Sequence, residues 1–571
     1  MIFGVNAEIT RRAYYGGLSA EMLNNRKLFT GSEEPAGWNC RSFARVTDQP
    51  ERSLCGSNFV ILHSGTMEQT SEVIALRAGK SYEAKLWVKA YSENAAVTFG
   101  VSGLEKTFAV AMDENACTEL AFVFDGIDLD NGTFRVCAQG DVAVFELSLL
   151  PTDHFYGMRS DVVALLKKLA PTSLRFPGGC AADHFDWKES LKAREFRVPA
   201  DGSIKSWFLF RDSYDQDPLD IGLNEFMMLC HEIGAQPEYT VSLLLSDGED
   251  ARRLVEYCNG SADTEYGARR QALGYDAFHI PLWFIGNEAY FFGDAYGMEY
   301  RASGAAAALR TNELTNAMRQ ADPSIHTVIG LTWADAYKQW NYDFMAHLDC
   351  KYEYASFHDY IGILPDASQG HNGMATAEMV ENIFIDGESM GLNFYKYDLM
   401  PKIFPHIGIC ADEWNYSWGY DSSNAMLFSN ALQFHFLAKS GEKYNIVRSE
   451  FFLPVNEGMI TVRGAETRME SSGEMFRLMK SHTDGTIVEC ACETQDLDIL
   501  CTAHDGNRCF VSVVNRRGIP CLVVPDGYRV LSAVEVRTGE YGFEYNDFTV
   551  EEVAQPVVSG HSVLYLSLEK I

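Results

Sequence analysis

Two glutamates stand directly after short apolar segments that are far apart in the chain. Glu288 lies in WFIGNEAY and Glu413 lies in GICADEWNY. A carboxylate at the end of a buried strand is costly to desolvate unless it is paired or faces a cleft. Acetal hydrolysis requires two carboxyl groups flanking the bond, one protonated and one ionised, and a neighbouring negative charge raises the proton affinity of one member. The pair therefore indicates a charged working site, with two ordinary surface-loop glutamates as the alternative.

The segments around these glutamates alternate between helical and extended patterns. From about residue 157, apolar residues recur at spacings of three and four, as in Asp161–Ala170 and Asn224–Ala235, and each such stretch precedes a short apolar strand. This alternation predicts an α/β fold, a (β/α)8 TIM barrel. Its eight candidate strands are Ile2–Glu8, Ser173–Phe176, Pro237–Leu244, Leu282–Gly286, His326–Leu331, Glu353–His358, Ile407–Asp412 and Ile446–Val455.

Polar residues close almost every candidate strand. In a barrel of this type the chemistry lies at the carboxyl ends of the strands, because helices cover the outside. We therefore expect the site among the residues at these ends, which are Glu8, Arg175, Ser242, Asn287, Glu288, Thr332, Trp333, His358, Tyr360, Glu413 and Asn456.

Two regions outside the barrel have the period-two pattern of antiparallel strands. The first, at 36–152, predicts a β-sandwich similar to carbohydrate-binding modules, inserted after the first barrel strand and helix at 1–35. The remaining barrel units then occupy 153–464, and a second, jelly-roll-like β-sandwich occupies 465–571. No metal or cofactor is expected, since the histidines are dispersed and no HExxH motif occurs.

The amino-acid composition limits the classes of binding partner that we expect. Hydrophobic residues make up 47% of the 571 residues, which is typical of a folded protein, and the formal charge of −32 disfavours nucleic acid and anionic membranes. No apolar run approaches the length of a membrane span or a signal peptide. The 14 scattered cysteines are typical of reduced thiols, so we expect a cytoplasmic protein.

Several motifs together resemble the α-L-arabinofuranosidases of glycoside hydrolase family 51, which are retaining (β/α)8 enzymes. They are FGVNAEI, GGLSAEMLNNR, the long run from ELSLLPTDHFYGMRS to LRFPGGCAADHFDW, WFIGNE, DPSI, SFHDY and ADEWN. The resemblance implies a retaining exo-α-L-arabinofuranosidase that acts on arabinan or arabinoxylan oligosaccharides. It further implies that Glu288 is the general acid/base and Glu413 the nucleophile, and that the protein forms homo-oligomers.

The resemblance also assigns the supporting residues. Glu8 and Asn287 would bind sugar hydroxyls, Asn287 that of the 2-position, and Cys180 would lie at the sugar rim. Arg175 and Tyr360 would contact the nucleophile. The remaining candidates for substrate binding are His358, Trp333 and Trp414.

Plainer interpretations stay open for these residues. Arg175 could be a structural ion-pair residue, Tyr360 a packing residue, His358 a buried histidine with satisfied hydrogen bonds, and Cys180 an inert thiol. The aromatic residues could wedge loops together instead of stacking on sugar. The same two carboxylates would also serve an endo-β-1,4-glucanase, a xylanase or another furanosidase or pyranosidase, and a non-catalytic carbohydrate-binding scaffold is the alternative of a different class.

Overall fold

The computed structural model of the chain describes residues 3–10, 13–56, 58–113, 116–200, 217–290, 303–332, 338–360, 407–416, 421–439, 441–505 and 507–571. No helix within these ranges is both long and apolar enough to cross a membrane.

The first strand, β1 (Phe3–Asn6), is followed in the chain by an antiparallel sheet of eight strands. These are β2 (Asn39–Val46), β3 (Phe59–Thr70), β4 (Ser81–Ala90), β5 (Ala95–Val101), β6 (Lys106–Val110), β7 (Thr118–Asp125), β8 (Thr133–Gln139) and β9 (Asp141–Pro151). Their order is β6-β5-β8-β3-β9-β4-β7, with β2 beside β3. Successive side chains of a strand point to opposite faces, so one face of the sheet buries an apolar core that includes Val60, Leu86 and Phe134.

The eight predicted parallel strands close into a barrel, which confirms the predicted fold class. After β1 they are β10 (Ser173–Phe176), β11 (Gln236–Val241), β12 (Leu282–Ile285), β13 (His326–Gly330), β14 (Tyr354–Tyr360), β15 (Gly408–Asn415) and β16 (Ile446–Phe451). The last strand pairs with the first. Strand β15 continues beyond the predicted end at Asp412, so Glu413 lies within the strand and not after it.

Helices surround the barrel. The described ones are α1 (Ser160–Leu169), α2 (Leu223–Ile233), α3 (Gly248–Asn259), α4 (Glu265–Ala272), α5 (Gly304–Ala321), α6 (Lys338–His347), α7 (Asn424–Lys439), α8 (Gly441–Tyr444) and α9 (Ser471–Met479). In α1, Val162, Leu166 and Leu169 recur on one buried face at the helical spacing.

A second β region follows the barrel. Its strands are β17 (Ile460–Arg463), β18 (Glu466–Met469), β19 (Thr486–Ile487), β20 (Leu497–Ala503), β21 (Arg508–Asn515), β22 (Cys521–Leu522), β23 (Tyr528–Thr538), β24 (Phe548–Glu552), β25 (Val557–Val558) and β26 (Val563–Lys570). Six of them form a sheet in the order β19-β20-β21-β26-β23-β24. The barrel helix α7 binds this sheet through His435, whose Nδ1 lies 2.6 Å from Asp498 Oδ1 and whose Nε2 lies 2.7 Å from Ser512 Oγ.

The barrel holds buried polar side chains beside apolar ones. Gly4 on β1 is level with Ser173 on β10 and Glu450 on β16. A Cβ atom at Gly4 would lie 2.5 Å from Ser173 Oγ and 2.6 Å from Glu450 Cγ, so only glycine leaves room for these side chains. An apolar cluster in the barrel includes Leu282 and Phe284 on β12, Val328 on β13 and Cys410 on β15.

A buried ionic cluster joins three separate parts of the chain. Arg26 follows the first barrel strand, Glu146 lies on β9, and Asp220 precedes α2. The Arg26 guanidinium pairs with both carboxylates, donating from Nε to Asp220 Oδ1 at 2.9 Å, and all three side chains are 1% exposed. The cluster therefore ties the N-terminal sheet to the barrel.

We expect Arg26→Ala to lower the free energy of unfolding by about 3–5 kcal/mol, because the change removes the buried cation that pairs with both Glu146 and Asp220 and leaves Asp220 with the more distant Arg194. Urea denaturation followed by circular dichroism measures the loss. Arg529→Ala is the control, since Arg529 pairs with Glu569 where the two side chains are 67% and 39% exposed, and we expect it to change stability by less than about 1 kcal/mol. Equal losses for the two variants would contradict the structural role of the cluster.

Candidate active site

An irregularity in strand β15 brings two acidic residues into the barrel. Ala411 pairs with Ser449 and Trp414 pairs with Phe451, so both Asp412 and Glu413 lie opposite the single residue Glu450. A β-bulge of this kind inserts one extra residue and re-aims the side chains beside it. Regular alternation would send consecutive residues to opposite faces. The bulge instead lets both carboxylates reach Arg175 inside the barrel.

Glu288 reaches the same place from the loop after β12. Its φ angle is 40°, a left-handed conformation that is unfavourable for residues other than glycine and that tends to be retained at functional sites. Its Oε1 lies 2.6 Å from His358 Nδ1. One donor atom from each of Glu288, His358 and Glu413 lies within 4.8 Å of the other two. The structure thus brings together the two glutamates that were singled out in the sequence.

Glu413 is held on both carboxylate oxygens. Arg175 Nη1 donates to Oε1 at 3.1 Å and the Tyr360 hydroxyl donates to Oε2 at 2.8 Å. His358 Nδ1 lies 3.2 Å from the same Oε2. Burial raises the pKa of Glu413 above its ordinary value, while His358 and Arg175 act in the opposite direction and Glu288 adds to the rise. The cations therefore favour the ionised form of a carboxylate that burial alone would neutralise.

Arg175 is wholly buried and connects three strands. Its Nη2 donates to Asn287 Oδ1 at 3.0 Å and its Nε donates to Thr240 Oγ1 at 3.0 Å. The guanidinium carbon lies 4.5 Å from the centre of the Phe284 ring, a cation–π contact. These contacts fix the orientation of the guanidinium fork toward Glu413.

Glu8 and Cys180 lie at the edge of the same cluster. The Ala181 amide donates to Glu8 Oε1 at 2.9 Å. A Cβ atom at Gly179 would lie 2.5 Å from Glu413 Oε1 and 3.3 Å from both oxygens of Glu8, so this loop passes close to both glutamates because it lacks a side chain there. Cys180 Sγ lies 3.4 Å from Asn287 Nδ2 and 3.9 Å from Glu288 Oε2.

Of the two tryptophans predicted to bind substrate, the structure describes Trp414. Trp414 is 0% exposed and packs against Phe434 of α7 and Phe451 of β16. Its neighbour Glu413 faces the barrel interior, so alternation along β15 directs the indole outward into the helix layer. The role of Trp414 that these contacts show is packing, and its contact with substrate stays a prediction. Trp333 lies outside the described residues.

Three other strand-end residues form hydrogen bonds to loops and neighbouring segments. Ser242 Oγ donates to Asp183 Oδ1 at 3.2 Å, and the Thr332 amide donates to Asn341 Oδ1 at 2.9 Å. Asn456 Nδ2 donates to the carbonyl of Gly16 at 3.2 Å. Their position at the barrel rim is thus explained by loop attachment.

His358 carries a positive charge in this setting. Burial alone would lower its pKa, but the charges of Glu413 and Glu288 outweigh burial and raise the pKa to about 10. Among the described residues, the cluster of Glu288, His358 and Glu413 is the one whose donor atoms could hold a metal ion. A metal would require neutral imidazole. The surroundings instead favour a proton on the ring.

Sequence reasoning missed Asp412 and Glu450. Both are wholly buried in the barrel. Regular alternation along a strand turns consecutive residues to opposite faces, and the bulge that brings Asp412 and Glu413 together has no signature in the sequence. Glu450 lies inside a run of strand residues, where the pattern indicates packing.

Residues 165–362 match the family model described as the alpha-L-arabinofuranosidase 1 domain. The predicted resemblance is confirmed. An alpha-L-arabinofuranosidase 2 of Arabidopsis thaliana is 25% identical over 378 residues, which cover 57% of this chain and 53% of that protein. An intracellular exo-alpha-(1->5)-L-arabinofuranosidase of Acetivibrio thermocellus is 28% identical over 211 residues, covering 36% of this chain and 39% of that protein.

The chain thus spans about half the length of the first of these relatives and two fifths of the second. Among solved structures, an arabinose-bound family 51 α-L-arabinofuranosidase superposes with a TM-score of 0.75 at 14% identity, over 100% of this chain and 97% of the other. The α-L-arabinofuranosidase of Thermotoga maritima in complex with arabinose gives 0.57 at 19% identity, over 72% and 90%. At these identities the superpositions establish a shared fold.

We expect the stability gained by Glu450→Gln to grow with pH. Burial, followed by the charge of Asp412, raises the pKa of Glu450 from 4.5 to about 8. Between these values the unfolded chain is ionised at this position while the folded protein keeps the proton, so wild-type stability falls as pH rises. Glutamine has no proton to lose. Urea denaturation of both proteins at pH 5 and pH 8.5 measures the difference.

Glu551→Gln provides the control for this comparison, because its carboxylate is 48% exposed on β24. We expect no growth of its effect with pH. A stability difference for Glu450→Gln that is the same at both pH values would show that Glu450 is ionised in the folded protein.

Proposed function

We propose that this protein is a retaining exo-α-L-arabinofuranosidase that works by double displacement. The observation that carries the proposal is the approach of Glu288 and Glu413 around His358, with donor atoms within 4.8 Å of one another. Retaining glycosidases hold their two carboxyl groups about 5–5.5 Å apart, whereas inverting enzymes keep them about 6.5–9.5 Å apart to admit a water molecule. The family model and the relatives' names support the same chemistry.

In the first step, Glu413 attacks the anomeric carbon of the terminal arabinofuranose. The carboxylate forms an ester bond to that carbon while the glycosidic bond breaks, and protonated Glu288 gives its proton to the departing oxygen. Arg175 and Tyr360 hold the attacking carboxylate in place before the bond forms. Preorganised donors of this kind require no rearrangement during the reaction.

In the second step, Glu288 acts as a base. It takes a proton from a water molecule, whose oxygen attacks the anomeric carbon and breaks the ester to Glu413. Two inversions at the same carbon give net retention. The free sugar leaves, Glu288 is protonated again and Glu413 is ionised again, so the cycle closes without a cofactor.

The remaining residues at the cluster would bind the sugar. Glu8 and Asn287 place acceptor and donor groups beside the two glutamates, and Cys180 closes the rim next to Glu288. We further propose that the chain is organised in four segments, at 1–35, 36–152, 153–464 and 465–571. The sheet formed by β2–β9 would brace the barrel. The ionic cluster around Arg26 supports such bracing.

Arabinan or arabinoxylan oligosaccharides are the proposed substrates, and the cytoplasm is the proposed location. The relative of Acetivibrio thermocellus is named as an intracellular exo-alpha-(1->5)-L-arabinofuranosidase. The activity in that name supports the substrate proposal, and the word intracellular supports the proposed location. None of the 14 cysteines, all of which lie in the described ranges, is in a disulfide, as is usual in a reducing compartment. Homo-oligomerisation stays a prediction.

We expect Glu413→Ala to lower kcat on an aryl α-L-arabinofuranoside by about 10³-fold or more, since it removes the attacking oxygen. Glu288→Ala should lose about 10²–10⁴-fold on substrates with poor leaving groups and much less on activated aryl glycosides, which depart without a proton. Azide should partly restore turnover by Glu288→Ala, because an anion needs no base to attack. Glu551→Gln should behave as wild type. A fully active Glu413→Ala protein would eliminate the mechanism.

Product analysis tests the exo mode separately. With arabinan or arabinoxylan oligosaccharides we expect arabinose as the sole early product, detected by anion-exchange chromatography, and proton NMR should show retained configuration at the anomeric carbon. Early release of oligosaccharides would favour the endo-β-1,4-glucanase or xylanase alternative. Tight oligosaccharide binding without any hydrolysis would favour a binding scaffold.

A further inference from the structure

Asp412 has no part in the two chemical steps, yet it lies in the middle of the charged cluster. Its side chain is wholly buried. One carboxylate oxygen, Oδ2, lies 3.0 Å from Arg175 Nη1 and 3.6 Å from His358 Nε2. These two residues are the cations that contact Glu413. Asp412 therefore touches the groups that hold the reacting carboxylates, without touching the place where the sugar would react.

The imidazole of His358 is arranged between opposed anions. Its Nδ1 faces Glu288 at 2.6 Å and Glu413 at 3.2 Å. Its Nε2 faces Asp412 and lies 3.4 Å from Ser356 Oγ. A ring with carboxylates beside both nitrogens is held as imidazolium, and the group behind it fixes which way the ring points.

The geometry points to Asp412 as a positioning residue: its carboxylate orients His358 and Arg175 and keeps His358 protonated, so that both proposed catalytic glutamates face a fixed cation. This inference rests on the proposed function of Glu288 and Glu413. The bulge in β15 is needed for this arrangement, because in a regular strand alternation would turn either Asp412 or Glu413 away from the cations.

Electrostatics agree with this geometry. Burial alone would raise the pKa of Asp412, but Arg175 and His358 outweigh burial and leave it below its ordinary value. Asp412 is therefore ionised at neutral pH. Its neighbour Glu450 has a pKa raised to about 8 and keeps its proton there. Two buried carboxyl groups of adjacent strands thus differ in charge, and only Asp412 can support the imidazolium.

The titration of His358 depends on the groups that face it. These are Glu288 from the loop after β12, Asp412 and Glu413 from β15, and Ser356 on its own strand. Tyr360 contacts Glu413, and Arg175 of β10 contacts both Asp412 and Glu413. Asp412→Asn keeps the shape of the side chain and removes one anion. Loss of an anion next to an imidazolium lowers its pKa.

The test compares Asp412→Asn with Glu450→Gln by nitrogen NMR of the histidine rings and by the pH dependence of kcat/KM on an aryl arabinofuranoside. We expect the His358 ring in Asp412→Asn to lose its proton at least one pH unit lower than in wild type. The alkaline limb of the profile should move the same way, with kcat reduced about 10–100-fold and KM changed less than threefold. Glu450→Gln should leave the His358 titration and the activity at pH 6 unchanged.

A lower melting temperature for Asp412→Asn with an unshifted His358 titration and pH profile would overturn the proposal, since a merely structural residue acts in that way. If Asp412→Asn fails to fold, the titration of the His358 ring in the wild-type protein still tests the proposal. A His358 ring that titrates near pH 6.5 would overturn the proposal, and one protonated up to about pH 9 would support it. The ring titration is independent of the substrate, so it separates failure of this inference from failure of the proposed function, which the Glu413→Ala measurement decides.

Discussion

The shared cation Arg175 is the constraint on which the rest of this site depends. Its guanidinium lies about equally close to Asp412 and Glu413, at 3.0 and 3.1 Å, where Arg175 and Asp412 are wholly buried and the Glu413 side chain is 6% exposed. A buried carboxylate without a partner costs several kcal/mol, and removing one member of such a cluster leaves the others uncompensated. Arg175 Nη1 lies beside both acidic side chains, and His358 is the second cation that faces them, so the two cations together favour the ionised forms.

Backbone geometry makes this sharing possible. The bulge in β15 places two consecutive acidic residues on the same side of the strand, and the absence of side chains at Gly4 and Gly179 lets other carboxylates approach. Gly4 leaves space for Glu450 from the neighbouring strand, while Gly179 lets a loop pass beside Glu413. The bulge and the two glycines each remove a steric obstacle, so that several polar side chains can lie close together in the barrel.

The sequence predicts the barrel fold and the two candidate catalytic glutamates, because each produces a local pattern in the chain. Alternating helical and extended periods predict the barrel, and Glu288 stands out because a charge ends an apolar strand. The same alternation places Trp414 on the face of the strand opposite Glu413, where it packs against Phe434 and Phe451. Asp412 was different: the identical rule places it outside, and only the pairing with β14 and β16 reveals the extra residue. Register between strands depends on contacts across the whole barrel and is not encoded in any short segment.

The position of His358 explains how one charge distribution can serve both halves of the proposed reaction. In the proposed first step Glu413 carries the negative charge and Glu288 supplies the proton, so Asp412 and Glu413 are then the anions beside His358. Once the ester forms, Glu413 is neutral and Glu288 has become the anion. His358 Nδ1 is 3.2 Å from the first carboxylate and 2.6 Å from the second, so the negative charge moves between two oxygens that face the same imidazolium. Since the sugar is neutral, the total charge of the cluster does not change during this transfer, and a buried site with low polarisability is spared the cost of creating a new ion. A fixed anion behind the ring is what allows the imidazolium to remain charged while its two partners exchange roles.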